Sequence, residues 1–151
     1  MTTPTETPNI KLHLGLLIHL ASQFKDQLIN QYFSAIDITA AQFKVLISIY
    51  KGFTSPVEIS KNLLMDAGAM SRMIERMVKR ELIVRTPNPE DKRQVILALT
   101  EKGRAICDRF QNEALASILG LLTARLTAGE SRQLEALLIK MLPDEVIQPH
   151  R

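Results

Sequence analysis

The sequence predicts a mainly α-helical protein with one small β-hairpin, and two features of its pattern indicate this fold class. Apolar residues recur at three- and four-residue spacing through most of the 151 residues, as they do on the buried face of a helix. Residues 83–99 instead alternate apolar and other side chains around a proline-rich turn, which is typical of a hairpin. A hydrophobic content of 46% is sufficient for one globular domain with its own core.

The first part of the chain is predicted to be a tail followed by a long helix. Residues 1–8 are rich in Thr and Pro, and we expect a disordered tail there. Residues 9–36 are predicted to form a helix, because apolar residues recur every four positions at Leu12, Leu16, Leu20, Phe24 and Leu28. This helix is more apolar than one small domain requires.

Residues 37–99 contain three further predicted helices and the hairpin. Thr39 begins the second helix with a capping box that Gln42 completes, and Ser55 caps a short third helix. Asp66 is the candidate cap of a fourth helix, which runs from about residue 67 to residue 80. The predicted hairpin strands, residues 83–86 and 95–99, flank a charged loop at residues 90–93.

Residues 100–143 are predicted to form two more helices. Thr100 caps the first, and Thr127 with Glu130 forms a capping box at the start of the second. Pro143 ends the second helix, and residues 144–151 are predicted to be a tail.

The chain gathers its positive charge in residues 71–93. This segment holds seven Lys and Arg residues against four Asp and Glu residues, and its surplus of three equals the net charge of the whole chain. On the fourth helix the cations fall largely on the side opposite an apolar stripe, and they are Arg72, Arg76, Lys79 and Arg80. One side can therefore dock on a core while the other faces an anion.

Two short helices, the second of them basic, and a charged hairpin together form the pattern of a winged helix-turn-helix. A helix fits the major groove of double-stranded DNA, where Arg donates two hydrogen bonds to guanine and Ser contacts a base or phosphate. We predict that the fourth helix contributes its cap and exposed face to DNA binding, through Asp66, Ser71, Arg72, Arg76 and Lys79. The alternative is a solvated helix face on which Glu75 forms ion pairs.

Four segments match motifs of a known family, with a weaker fifth. They are IDITAAQFKVLISI at residues 36–49, SPVEI at 55–59, GAMSRMIERMV at 68–78, IVRTPNPEDKR at 83–93 and, more weakly, LTEKGRAIC at 99–107. The chain thus resembles the MarR family of bacterial transcriptional regulators over roughly residues 10–142. The resemblance implies a winged helix-turn-helix flanked by terminal dimerisation helices, at residues 9–36 and 100–143.

The most specific part of the resemblance is the D-x-R element, Asp91-Lys92-Arg93. It implies that Asp91 orients Arg93 through a salt bridge. The wing would then insert Arg93 into the minor groove, whose negative potential attracts Arg. A solvated turn is the alternative.

The apolar surplus of the terminal helices requires a partner surface. The resemblance implies a homodimer that sets two recognition helices on successive major grooves of a pseudo-palindrome, ~34 Å apart. The alternative is that these helices close a monomeric core.

The resemblance also implies a small aromatic acid effector, such as salicylate, at one of two locations. Positions carried over from the family place it on the DNA-binding domain, at Pro56, Ser71 and Arg85 or at Ala69, Met73 and Arg76. Arg pairs with a carboxylate, and the Ser71 hydroxyl can bond to it. The other location is a pocket between the dimerisation helices and the winged domain, lined by His19 with Leu16, Leu20 and Phe43.

The leading hypothesis is therefore a ligand-responsive dimeric repressor of antibiotic-resistance or efflux genes, and the alternative is an architectural or anti-silencing DNA-binding protein. We expect no enzyme, cofactor or metal site, because the sequence has no nucleophile beside a base and no paired ligands at helical spacing. Cys107, the single cysteine, lies in an apolar helical run and is predicted to be an inert thiol. We also expect a cytoplasmic protein without a membrane partner.

Overall fold

The structure, a computed structural model, describes residues 11–151. The predicted tail at residues 1–8 lies outside that range, as do the first two residues of the predicted first helix. The described part of the chain is mainly helical with one two-stranded antiparallel sheet, which confirms the predicted fold class.

The elements follow one another in the predicted order. The first half contains α1 (Leu14–Phe33), a 3₁₀ turn (Ser34–Ile36), α2 (Ala40–Tyr50), α3 (Pro56–Asn62) and α4 (Ala67–Lys79). The hairpin follows, with β1 (Ile83–Pro87) and β2 (Val95–Leu99). The chain then forms α5 (Glu101–Arg109), a π-helical turn (Phe110–Ala114), α6 (Leu115–Leu122), α7 (Ala128–Met141), α8 (Asp144–Ile147) and a 3₁₀ turn (Gln148–His150).

Side-chain caps begin most of the helices. The caps predicted from the sequence are all present, at Thr39, Ser55, Asp66, Thr100 and Thr127. Thr39 and Thr127 both form complete capping boxes, in which the cap and the third helical residue exchange hydrogen bonds. His13 adds a cap that the sequence did not predict, because its Nδ1 accepts a 3.2 Å hydrogen bond from the backbone of Leu16.

Three helix ends in the DNA-binding region share one backbone motif. The residue after each C-cap has a positive φ: 106° at Gly52 after α2, 53° at Leu64 after α3 and 59° at Glu81 after α4. In each case the next two amide groups donate back to the last turn, as in a Schellman motif. Only the first of these ends uses glycine.

A phenylalanine cluster joins α1, α2 and the π-helical turn. The ring centroids of Phe33 and Phe43 are 4.9 Å apart, and those of Phe43 and Phe110 are 4.3 Å apart. The Tyr50 hydroxyl donates a 2.7 Å hydrogen bond to Asp108 Oδ1, and this bond raises the pKa of Tyr50. The core therefore binds the end of α1 to the DNA-binding region.

The predicted first C-terminal helix is interrupted by the π-helical turn. Its apolar residues recur every four positions, and each such step overshoots one α-helical turn by about 40°. The π turn accommodates an extra residue, through the hydrogen bond from the Leu115 N–H to the Phe110 carbonyl. Phe110, Ala114 and Ile118 consequently all remain buried on one side.

The hairpin is anchored at its base to the rest of the domain. β1 and β2 pair from Ile83 opposite Leu99 to Pro87 opposite Val95. The N–H of Leu97 donates a 2.9 Å hydrogen bond to the carbonyl oxygen of Thr54, in the connection between α2 and α3. The distal part of the hairpin projects from this base.

The C-terminal residues differ from the predicted tail. Residues 144–150 form α8 and a 3₁₀ turn instead, and Pro143, with an extended backbone, lies at the N-cap of α8. Asp144 and Glu145 lie in the first turn, where negative charge stabilises a helix. The ring of His150 lies 6.1 Å from that of Phe53.

Within residues 11–151, no single helix combines the length and apolar character needed to cross a membrane. The pair formed by α1 with its 3₁₀ turn and α2 meets that criterion only when taken together, with a bend of 91° between them.

Candidate nucleic-acid interface

Helix α4 has a buried apolar side and an exposed polar side. Asp66 Oδ1 fixes its start by accepting a 2.8 Å hydrogen bond from the backbone N–H of Ala69, so this carboxylate is a cap. Met70, Ile74 and Met77 are buried against the core. The exposed residues of the helix include Ser71, Arg72, Glu75, Arg76 and Lys79. The predicted DNA-facing side chains of α4 and its cap are therefore all exposed.

Glu75 and Lys79 form an ion pair, as the alternative of a merely solvated helix face predicted. Lys79 Nζ lies 3.7 Å from Glu75 Oε1, and both side chains are exposed. Exposed pairs of this kind contribute only about 0.3–0.5 kcal/mol, which is too little to keep Lys79 from a phosphate. Arg72 turns toward the first turn of the helix, since a Cβ added to Gly68 would lie 3.3 Å from its Nη1.

Arg80 does not belong to the exposed basic face, where the sequence had placed it. Its guanidinium donates to the backbone carbonyl oxygens of Asp37 at 2.6 Å and Ile36 at 2.9 Å. The residue ends α4, so its side chain can reach the connection between α1 and α2. Its partners are 43 and 44 residues away in the sequence, and no local pattern marks such a contact.

The D-x-R element has the geometry that the family resemblance implied. Asp91 Oδ1 accepts a 3.1 Å hydrogen bond from the Arg93 N–H and lies 3.5 Å from Arg93 Nε. The Arg93 side chain is 94% exposed, and that of Asp91 is 43% exposed. Asp91 therefore braces an arginine that is otherwise in solvent.

Asn88 and Gln94 also order the wing loop, and the sequence analysis did not identify them. The N–H of Asn88 donates a 2.9 Å hydrogen bond to the carbonyl oxygen of Gln94. The Asn88 side chain accepts from the N–H of Glu90 at 3.0 Å, and the Gln94 N–H donates to the Asp91 carbonyl oxygen at 2.9 Å. Asn after Pro is a known turn signal, and it is the clue that the sequence offered.

The ligand-binding candidates of the DNA-binding domain lie on or near its surface. Ser71, Arg85 and Arg76 are exposed, whereas the other three, Pro56, Ala69 and Met73, are half-buried. Arg76 borders an open depression of about 360 Å³ that Lys79 and Arg80 share. Ala69 and Met73 do not line that depression.

The predicted pocket around His19 is not assembled within one chain. His19 is exposed on α1, whereas Phe43 is buried beside Phe33. His19 and Phe33 are separated by ~21 Å along the helix axis, at 1.5 Å per residue. His19 thus lies away from the core aromatics.

A cavity of about 530 Å³, which we call the junction cavity, lies where the end of α1 and the turn after it meet the C-terminal end of α4 and helix α5. Its lining is mainly apolar and aromatic, with three cations, Arg80, Lys102 and Arg109. The apolar and aromatic part is formed by Tyr32, Phe33, Ala35, Ile36, Ile38, Leu82, Ala105 and Ile106. This combination suits a small acid with an aromatic ring.

Cys107 is a buried thiol. Its side chain is fully buried, and burial raises its pKa to about 11. A thiol with such a pKa is protonated at neutral pH and reacts slowly with oxidants. Among the described residues 11–151, no group of three or more His, Cys, Asp or Glu side chains has a metal-binding arrangement.

The terminal helices leave many large apolar side chains in solvent. On α1 and just before it these are Leu12, Leu14, Leu17, Ile18, Leu20 and Phe24. On α7 and its C-cap they are Leu134, Leu137, Ile139, Met141 and Leu142. α7 has no buried residue at all. An apolar surface of this kind is typical of an interaction site and favours a partner surface over a closed monomeric core.

Comparison with known sequences identifies the family. A profile described as the MarR family matches residues 38–95. The multiple antibiotic resistance protein MarR of Escherichia coli (strain K12) is 45% identical over 144 residues, which cover 95% of this chain and 100% of that protein. The HTH-type transcriptional repressor NicR of Pseudomonas putida is 30% identical over 151 residues, covering 95% of each chain.

Solved structures agree with the sequence relatives. The apo crystal structure of wild-type MarR from E. coli matches with a TM-score of 0.82 at 47% identity, covering 89% of this chain and 100% of that one. A mutant of E. coli MarR complexed with operator DNA matches with a TM-score of 0.75 at 48% identity, covering 86% and 94%. These identities extend over nearly the whole of both chains, and the protein therefore belongs to the MarR family of transcriptional regulators.

Proposed function

We propose that the protein is a homodimeric transcriptional repressor that binds a pseudo-palindromic operator and leaves it when a small phenolic or aromatic acid, such as salicylate, binds. The observation that carries the proposal is the exposed side of α4 together with an exposed Arg93 braced by Asp91. These are two separate cationic elements on one domain. Major-groove and minor-groove contacts from one protomer require such a pair.

The DNA contacts divide between base reading and phosphate binding. Ser71, Arg72 and Arg76 are proposed to reach base edges in the major groove, and Lys79 to bind a phosphate. Asp66 acts indirectly by capping α4, whose N-terminal end would enter the groove. In the wing, Arg93 is proposed to enter the minor groove. Asp91 orients the Arg93 side chain, and Lys92 binds the DNA phosphate backbone.

The exposed apolar surface of α1 and α7 is proposed to form the homodimer. A dimer places two α4 helices on one face of the duplex, ~34 Å apart, and so matches two half-sites. The structure of the related MarR mutant complexed with operator DNA supports operator binding as the function of such an arrangement. The name of the related E. coli protein, multiple antibiotic resistance protein MarR, supports antibiotic-resistance or efflux genes as the targets.

For the effector, the junction cavity is favoured over the surface sites. Lys102 and Arg109 are exposed, as Ser71 and Arg85 are, but they border a cavity that is lined mainly by apolar and aromatic side chains. An aromatic acid bound there would bury its ring against apolar side chains while its carboxylate pairs with a cation. The alternative location remains Pro56, Ser71 and Arg85, or Ala69, Met73 and Arg76.

The test of DNA binding is a gel shift and footprint on the intergenic DNA upstream of the protein's own gene. We expect a protected pseudo-palindrome. Arg93→Ala should weaken binding by several fold or more, in line with the value of a good groove contact. Lys140→Ala on α7 is the matched control, because it removes one exposed cation far along the chain from the wing. Equal binding by wild type and Arg93→Ala would remove the wing from the proposal.

The same assay separates a repressor from an architectural protein. Architectural binding would show a steep loss of affinity with salt and no protected palindrome. For the effector, salicylate should release wild-type protein from the operator, and Lys102→Ala should blunt that release more than it lowers DNA affinity. A blunted response in Arg85→Ala with an intact response in Lys102→Ala would instead place the effector on the DNA-binding domain.

A further inference from the structure

Arg80 fastens the end of α4 to the connection between α1 and α2. Its Nη1 donates to the Asp37 carbonyl at 2.6 Å and its Nη2 to the Ile36 carbonyl at 2.9 Å. Nη1 also lies 3.5 Å from Gln42 Oε1, in the capping box that begins α2. Bonds from a charged planar fork are stronger and more directional than neutral ones. The end of α4 and this connection are therefore held as one unit.

The same end of α4 is bonded to the start of α5. The Thr100 Oγ1 donates a 2.6 Å hydrogen bond to the Glu81 carbonyl, and the Thr100 N–H donates a 3.1 Å bond to the Leu82 carbonyl. Lys102 Nζ lies 3.4 Å from the Arg80 carbonyl oxygen. The C-terminal end of α4 is thus where this helix meets both chain segments that lead to the terminal helices.

We propose that Arg80 is a positioning residue that fixes the angle of α4 relative to the dimerisation helices, and so determines which separation of half-sites the dimer accepts. This inference rests on the proposed function, because a separation exists only when two α4 helices bind one operator. Arg80 is half-buried and its guanidinium faces backbone carbonyls, so its loss changes geometry rather than a DNA contact.

The separation of half-sites is a sensitive measure of that angle. One added base pair moves the second half-site by about 3.4 Å and rotates it by about 35° around the duplex. Two α4 helices held at a fixed angle cannot bind both half-sites after such a change, whereas two α4 helices that can reorient can bind both. A loss of stability alone would lower binding to every operator by the same factor.

The experiment measures affinities of the full-length protein for operators with one base pair removed or added between the half-sites. Wild type should prefer the natural separation by at least roughly tenfold. Arg80→Met keeps an apolar stem but no donor, and should lose most of that preference. Lys79→Met removes the neighbouring exposed cation, and should weaken binding to all separations equally. Circular dichroism and sedimentation establish that each variant is folded and dimeric.

Arg80→Lys separates the fork from the charge and also serves if Arg80→Met does not fold. An ammonium group cannot bond two carbonyls in the same plane, so this variant should also lose preference for one separation. A folded, dimeric Arg80 variant that keeps the wild-type preference would overturn the inference. So would a wild-type protein that protects two half-sites but accepts all separations. If wild type protects no operator, the proposed function itself is wrong.

Discussion

At the scale of single residues, Gly103 determines how closely α5 approaches Leu82, the residue before β1. A Cβ added there would overlap the carbonyl oxygen of Leu82 and lie 3.2 Å from its carbonyl carbon. That carbonyl is fixed by a 3.1 Å hydrogen bond from the Thr100 N–H. Because the added Cβ is attached to the α5 backbone and would meet the backbone of Leu82, no flexible side chain could move to relieve the overlap.

Gly103→Ala should therefore destabilise the protein. Overpacking costs about 1–3 kcal/mol, and the better helix propensity of alanine offsets at most about 1 kcal/mol of it. Gly129→Ala on α7 is the matched control, because its Cβ would meet only Thr127 Oγ1 at 3.9 Å. Chemical denaturation at one fixed protein concentration should show a loss for the first variant and no loss for the second. Equal stability of the two would contradict the close approach.

At the scale of elements, the positive φ angles that end α3 and α4 are a local weakness. Leu64 and Glu81 occupy a left-handed conformation that costs a non-glycine residue roughly 1–2 kcal/mol. The Leu64 side chain is 94% exposed and Glu81 is also exposed, so neither is retained for core packing.

Glu81→Gly is expected to stabilise the protein by about 0.5–1 kcal/mol, because relief of strain exceeds the larger unfolded-state entropy of glycine. Leu64→Gly should act in the same direction. Glu75→Gly, at an exposed helical position of α4, should instead destabilise by about 1 kcal/mol. Thermal unfolding of the three variants at equal concentration measures the signs. A loss of stability in all three would show that these helix ends are not strained.

The helix starts were predictable from the sequence, and most helix ends were not. A start such as Thr39 depends on its own side chain and on Gln42, three residues later, so a short motif contains it. The ends at Leu64 and Glu81 depend on a backbone angle that their side chains do not signal. The π-helical turn was missed because the four-residue spacing of its apolar residues also fits an α-helix.

The exposed side of α4 was predictable for the same local reason. Ser71, Arg72 and Arg76 follow from helical periodicity alone. The role of Arg80 was not predictable. Its position around the helix differs little from that of Arg76, and its partners Ile36 and Asp37 precede it by more than 40 residues. The junction cavity was missed too, since residues from three separate chain segments line it.

At the scale of the whole molecule, the apolar side of α7 is the surface that the proposed dimer would bury. Leu134, Leu137, Leu138 and Met141 lie within an arc of about 100° on the helix. Leu134 is 45% exposed and Leu137 is 56% exposed, and no residue of α7 is buried in the protomer. A surface of this type is buried in a stable dimer rather than left in water.

Leu137→Glu should convert the dimer into a monomer, because an unpaired carboxylate buried at an apolar interface costs several kcal/mol. Ala136→Glu is the matched control: it adds the same charge on the opposite side of α7, beside Arg132 and Lys140. Sedimentation velocity should show the first variant as a monomer of 17.0 kDa and the second as a dimer. Since one protomer covers only one half-site, Leu137→Glu should also lose most of its affinity for the full operator. A dimeric Leu137→Glu variant would show that α7 lies outside the interface.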